Sequence, residues 1–306
     1  MSAGDSIVID LKNEGPDCKE LGLYSLIERC AAKFKYDISN ITIDTCNVLE
    51  HHDTIQIKSR LSVWLLQREL NKQYNHNVVK NPSLKHFGRL VGRSSANRLF
   101  LSEYLDTNHK DKTVSTFHYK HGDNYHKDDI GLEELVTRYN IRDVSPYAKF
   151  LSTCPRTDTD FNFDKSLDID FSTQLHNIEK DSFIDLYRKF AIEIVSETYI
   201  TGNTFFVTEK IWRPILLKTP FIVHGPAGFL KNLRNLGFKT FSDFWDEGYD
   251  DDPPEHAMLE IVKVIDTIAK EPVDELVWML KNMQDILDYN YNVLMEIKNV
   301  PFSFKK

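Results

Sequence analysis

The sequence predicts an α/β fold made of two Rossmann-like lobes. Three observations lead there. A strand–helix–strand pattern opens the chain, and a unit of that kind favours a parallel sheet. Strand and helix patterns alternate again between residues 87 and 240. A polar stretch with a proline, 74–86, separates the two regions. The expected division is an N-terminal lobe, 1–86, and a C-terminal lobe, 87–306, facing each other across a cleft.

Each element has its own signal. Residues 6–11 (SIVIDL) are β-branched and apolar, and the turn NEGPD bounds them. Over 19–36, Leu23, Leu26, Ile27, Cys30, Ala31 and Phe34 recur at the spacing of a buried helix face. ITIDTC, 41–46, is a second strand, and 60–72 a further helix. A strand is expected at 87–91, a helix at about 96–107 and a strand at 113–119. GLEELVTRYN is a short helix, and the Thr-, Asp- and Asn-rich run 152–172 is a surface excursion. Then come a helix at 182–190, a strand at 191–197, a helix at 208–218, a strand at 220–225 and a helix in GFLKNLRNLGF. Two helices fill 256–296, the first marked by Ile261, Val262, Ile265, Ile268 and Ala269.

Composition narrows the class. The 306 residues carry 46 acidic and 38 basic side chains, a formal charge of −8, with 41% apolar residues. No run reaches the roughly 18 apolar residues of a membrane span, and the N-terminus lacks the basic start and apolar core of a signal peptide. Cys18, Cys30, Cys46 and Cys154 are widely spaced without a CxxC pair, as reduced thiols of a cytoplasmic protein are. The acidic balance speaks against a nucleic-acid coat protein, because phosphate neutralisation needs clustered Lys and Arg. The segment 243–255 alone holds seven acids and no Lys or Arg.

The most informative block is Phe205 to Pro214. The apolar strand before it ends at a polar loop, and a helix begins near Thr208, whose hydroxyl suits an N-cap. Glu209 and Lys210 then occupy the first turn, at the positive end of the helix dipole, where free N–H groups attract anions. A lysine there supplies a mobile charge for a diphosphate. A glutamate there accepts hydrogen bonds from ribose or sugar hydroxyls. The alternative is a solvated first turn with favourable dipole placement. In open α/β sheets ligands bind outside the carboxyl ends of strands, where this loop lies.

The run Glu197-Thr198, then Phe206-Val207-Thr208-Glu209-Lys210, then Pro220 to Gly225 resembles the donor-binding motif of the family-10 fucosyltransferases. Thr198 stands where that family usually has Asn, and the loop is two residues longer. Upstream, FGRLVGRSSANRLFLSEYL (87–105) is similar to the strand, turn and Arg-bearing helix that open the family's donor domain. The resemblance covers roughly residues 87–240, and GFLKNLRNLGFKTFSDFWDEGYDD also resembles viral glycosyltransferases. It implies a GT-B architecture and a metal-independent, inverting sugar transfer from a nucleotide sugar, GDP-sugar favoured, to a glycan hydroxyl. No cofactor and no metal are implied. Arg98 would contact the donor diphosphate with Arg93 assisting; Glu197 and Thr208 would line the donor site with Glu209 and Lys210. Guanidinium forks suit bidentate phosphate contact.

An inverting transfer needs a base for the acceptor hydroxyl. Glu14, in the turn directly after strand 6–11, is the first choice, and N-E-G-P loosely resembles the family's base-bearing segment. Glu50-His51-His52 is the runner-up. His118, His121 and His126 invite a metal reading, but no Cys or HExxH accompanies them. Asp158-Thr159-Asp160, Asp168-Ile169-Asp170 and Asp250-Asp251-Asp252 fit a DxD spacing, which an acidic chain produces by chance. Trp245 and Tyr249 could stack on a sugar, although core packing is the commoner role.

Two rival functions remain. One is a non-catalytic nucleotide-sugar or carbohydrate-binding module, with the cations but no base. The other is a glycosyltransferase acting on modified DNA bases, which requires a basic face. Lys58, Arg60, Arg68, Lys72, Lys80, Lys85, Arg89 and Arg93 are its candidates.

Overall fold

A computed structural model describes residues 6–62, 78–80, 83–92, 94–117, 128–154, 156–157 and 186–297. These residues form a mixed α/β structure, with two sheets among them. Residues 63–72 of the helix expected at 60–72, most of the 152–172 excursion and the start of the 182–190 helix lie outside the described residues.

The smaller sheet has the order β1-β2-β3, with β1 Ile7–Leu11, β2 Ile41–Thr45 and β3 Gln56–Ser59, all parallel. Helix α1, Leu23–Phe34, makes the crossover between β1 and β2. Its buried side chains are Tyr24, Ile27 and Ala31, a single stripe at i, i+3 and i+7. The broader buried face expected from the sequence is corrected here: Leu26, Cys30 and Phe34 are exposed. The cause is the narrow sheet, whose apolar cluster of Cys18, Ile41, Ile43 and Ile55 covers one helix stripe only. Strand β3 carried no sequence signal.

The larger sheet has the order β6-β5-β4-β7-β8. These are β4 Lys85–Val91, β5 Thr113–Phe117, β6 Arg156–Thr157, β7 Phe190–Ser196 and β8 Phe221–His224. All pairs are parallel except β5 with β6. Strand β7 is buried at every position, as expected for a parallel strand covered on both faces.

Helix α2, Ala96–Asn108, connects β4 to β5. Helices α3, Asp128–Thr137, and α4, Ser145–Ser152, follow; Pro146 starts α4, which the sequence reading missed. Helix α5, Glu209–Leu216, connects β7 to β8, and α6, Phe229–Asn235, α7, Pro254–Ile268, and α8, Val273–Ile297, follow. The β4-to-β5 and β7-to-β8 crossovers run in opposite directions from the centre of the sheet. With a common right hand they place α2 and α5 on opposite faces. Accordingly α7 packs with α2, and α8 with α5. The main core, with Phe87, Phe190, Phe205, Trp212, Phe221 and Phe241, surrounds this sheet. Trp245 and Tyr249 belong to it, in their packing role.

Candidate functional site

Strands β4 and β7 are neighbours, yet the chain leaves them in opposite directions, so the gap beyond their carboxyl ends is a topological switch point. Helices α2 and α5 both begin there. The segment after β7 carries Glu197, Thr198 and Tyr199 on one side of the loop and Thr208, Glu209 and Lys210 on the other.

Thr208 caps α5, its hydroxyl accepting from the Lys210 amide at 3.3 Å. The Glu197 carboxylate receives the Thr208 amide at 3.1 Å and the Thr208 hydroxyl at 2.6 Å, and the Thr198 amide at 3.2 Å. Its side chain is 1% exposed. Burial pushes its pKa above the usual glutamate value, against the opposing pull of Lys210 and Thr208. Glu197 thus faces protein groups on both oxygens, and its contact is with the loop rather than with an open pocket.

The Lys210 ammonium donates to Thr208 Oγ1 at 2.9 Å and Thr198 Oγ1 at 3.0 Å. Carboxylate oxygens of Glu209 and Glu197 lie 3.2 and 3.7 Å away. Burial alone would raise the Glu209 pKa, but Lys210, its own backbone and Arg213 hold it below the ordinary range.

Arg98, in the first turn of α2, is half-buried, and its Nη2 approaches the Glu197 carbonyl at 3.4 Å. Arg98 and Lys210, from two helix starts, therefore converge on one residue. Arg93 lies outside the described residues.

Arg89, which sequence reasoning placed on a basic face, is instead 1% exposed in the middle of β4. It donates to Ser102 Oγ at 3.2 Å, to the Ile194 carbonyl at 2.9 Å and to the Arg98 carbonyl at 3.2 Å. Burial and the Arg98 charge lower its pKa to about 9, which leaves it charged at neutral pH. Lys80 is turned inward as well, to the Tyr187 carbonyl at 2.9 Å and Thr219 Oγ1 at 3.1 Å, and burial lowers it to about 7. Arg60 is paired with Asp44. Among the described candidates for a basic face, Arg89 and Lys80 are thus turned inward and Arg60 is paired, whereas Lys58 is exposed.

The smaller sheet presents its own carboxyl end to this region. Glu14 is exposed, and the Tyr199 hydroxyl donates to its Oε2 at 2.7 Å. The Glu14 backbone is fixed from its own sheet, the carbonyl accepting from the Cys46 amide at 2.9 Å. Gly15 is required next to it: a Cβ there would sit 2.5 Å from Phe206 Cβ. Gly202 is required on the opposite loop, with φ +78 and a Cβ position 2.3 Å from Glu20.

Asn47 joins these loops. Its Nδ2 donates to the carbonyls of Pro16 at 3.3 Å and Asn203 at 3.1 Å and to Glu50 at 3.2 Å; its Oδ1 accepts from the amides of Leu49 and Phe205 at 3.1 and 3.0 Å. It is fully buried. Thr204 to the Gly15 carbonyl, Ser62 to the Val207 carbonyl and Asn203 to Asp17 complete the junction.

Glu50 faces inward, taking the Cys18 amide at 3.0 Å and the Tyr24 hydroxyl at 2.5 Å besides Asn47. That pairing makes Glu50 part of the scaffold, while His51, beside it, is exposed. His52 Nδ1 accepts from the amides of Thr54 and Ile55. Asp250 is buried and accepts from the amides of Leu230 and Lys231 at the start of α6, so it is a helix cap rather than a solvated residue.

At the end of β8, His224 is fully buried. Its Nε2 lies 2.9 Å from the Pro254 carbonyl, which requires the proton on that nitrogen, and burial lowers its pKa to about 4. None of the four cysteines is in a disulfide; Cys18 and Cys46 are buried, Cys30 is exposed. No group of His, Cys, Asp or Glu among the described residues is arranged to hold a metal ion. His118, His121, His126 and the Asp158 and Asp168 pairs lie outside them. No helix among the described residues is long and apolar enough to cross a membrane. A depression of about 360 Å³ on the small sheet, lined by Val8, Thr42, Asp44 and Lys58, lies away from this junction.

Sequence reasoning missed Asn47, Tyr199 and the buried role of Arg89. For Arg89 a signal existed: a charged residue inside the apolar strand FGRLV. For Asn47 and Tyr199 the sequence carried no signal, since their partners lie far away in the chain. The chain matches no protein-family model, and it has no significant match among curated proteins.

Proposed function

We propose that the protein is an inverting glycosyltransferase of GT-B type, transferring a sugar, fucose or another deoxyhexose, from a nucleotide sugar to a glycan hydroxyl. The observation that carries this reading is the convergence of Arg98 and Lys210 on Glu197 at the β4/β7 switch point. A switch point flanked by cations and two helix N-termini suits a diphosphate. The likeness of Thr208-Glu209-Lys210 and of the Arg98 helix to the family-10 fucosyltransferase donor motif supports the same assignment.

In this reading Arg98 and Lys210 hold the diphosphate, and Glu209 accepts from a ribose or sugar hydroxyl. Thr208 and Glu197 hold Lys210 in place. The smaller sheet forms the acceptor side. Glu14 takes the acceptor hydroxyl proton as that oxygen attacks the anomeric carbon. The bond from that carbon to the diphosphate breaks on the opposite face, and the nucleoside diphosphate leaves with the electron pair. The cations stabilise the charge that develops on it.

Thermal unfolding with GDP-, UDP-, dTDP- and CMP-sugars tests the assignment. A ligand bound only by the folded state raises the melting temperature with concentration. A saturable rise with a GDP-sugar is expected; no rise with any of the four contradicts the reading. Binding without transfer or donor hydrolysis would point instead to a nucleotide-sugar-binding module.

A further inference from the structure

We infer that Arg89 is a buried counter-charge for the ligand's anionic group and the residue that positions Arg98 at the switch point. This rests on the reading of that site as a diphosphate site.

The first observation is a buried charge whose hydrogen-bond partners are all neutral, with the Glu193 carboxylate opposing the effect of burial without forming an ion pair. The Arg89 guanidinium is 1% exposed, and its hydrogen-bond partners are a serine hydroxyl and two backbone carbonyls. The acids of the β7–α5 segment are committed elsewhere. Glu193 pairs with Arg213, and Glu197 and Glu209 lie against Lys210. Among the described residues no carboxylate lies within ion-pair distance of Arg89. A buried charge without a counter-ion is costly to keep, and replacing such groups by apolar ones is often neutral or better. In a chain of charge −8 this cation does not come from a general basic excess.

The second observation is where the guanidinium reaches. Its three hydrogen bonds join β4 to Ile194 near the end of β7, to Arg98 in the first turn of α2 and to Ser102 one turn later. Arg89 thereby sets the orientation of the α2 start against β7, and so the direction from which Arg98 enters the switch point. Ser95, before α2, makes no side-chain cap bond, so the helix start adds its own positive end there. Lys210 already has two carboxylates beside it. An arriving dianion is thus met from the β4–α2 side by a field acting through low-dielectric protein.

Calorimetric titration with pyrophosphate tests this on the full chain. The variants are Arg89→Gln, Arg89→Met and Arg89→Lys, each checked for retained helical circular dichroism. The wild type is expected to bind pyrophosphate. Arg89→Gln and Arg89→Met should bind at least tenfold more weakly, with guanosine affinity unchanged; a merely structural arginine would not separate charged from neutral ligands. Arg89→Lys keeps the charge at pH 6 and should stay within about threefold of wild type there. Unchanged pyrophosphate affinity in Arg89→Gln, or no pyrophosphate binding by the wild type, overturns the inference. If neither neutral variant folds, pH decides with Arg89→Lys. A buried lysine loses its proton more readily than arginine. The wild-type-to-variant affinity ratio should then grow from pH 6 to pH 8, where Arg89 stays charged, and a constant ratio overturns the inference. Pyrophosphate binding without binding of any nucleotide sugar leaves Arg89 in this role and refutes only the proposed donor.

Discussion

Glu197 accepts both the amide and the hydroxyl of Thr208, at 3.1 and 2.6 Å, although the two lie on opposite sides of an eleven-residue step in the chain. The strand end and the helix start are thereby closed into one unit, with Lys210 lying over it. Thr208→Ala removes the cap and leaves Glu197 short of a donor. A loss of about 1–2 kcal/mol is expected in urea unfolding. Thr208→Ser keeps the hydroxyl and should stay within about 0.5 kcal/mol of wild type.

Asn47 bonds to both sheets' loops at once, so its removal should act on the junction. Asn47→Ala leaves the Phe205 amide and the Asn203 carbonyl without this partner. A loss of about 2–4 kcal/mol is expected from the buried groups left unpaired. Hydrogen exchange should show faster exchange of the Phe205 and Leu49 amides than of the β7 core. Unchanged exchange at both would show that the loops hold without Asn47.

The framework of both sheets was readable from the sequence because strand and helix periodicity reports burial directly. The strands 7–11, 41–45, 190–196 and 221–224 and the Thr208 cap follow from apolar runs bounded by turn residues. The exposed stripe Leu26, Cys30 and Phe34 did not follow, since periodicity shows which residues could be buried but not how wide the partner sheet is. Glu14, Arg98 and Lys210 were readable as residues at strand and helix ends. Asn47 and Tyr199 were not, because their partners, Asn203, Phe205 and Glu14, are more than 150 positions away in the chain. Such pairing exists only once the two sheets meet.

His224 is buried and uncharged, its pKa lowered by burial from 6.5 to about 4. A group depressed in this way contributes stability above its unfolded value, and that contribution is lost as pH falls through the folded one. The window is therefore pH 6.5 down to about 4, and the size is about 3 kcal/mol. Urea unfolding of wild type and His224→Asn across this window isolates it. The wild type should lose about 3 kcal/mol more than the variant; parallel pH curves would contradict it. Glu197, whose pKa is raised, acts in the opposite sense, its contribution being lost as pH rises, and cancels in the comparison.

Glu14 is exposed and held by the Tyr199 hydroxyl at 2.7 Å, while the donor-side cations come from other segments. Glu14→Gln should therefore leave donor affinity unchanged and reduce transfer at least a hundredfold, the usual scale of a lost general base. Initial rates at saturating donor measure this. Wild-type rates in the variant would place the base on another residue.

The most direct measurement is calorimetric titration of GDP into the wild type, Arg98→Ala and Lys210→Ala. Binding to one site is expected in the wild type, weakened at least tenfold in each variant, with melting temperatures without ligand within a few degrees. Equal affinity in all three proteins, or no binding of GDP, UDP, dTDP or CMP by the wild type, would contradict a nucleotide-sugar site at the β4/β7 switch point.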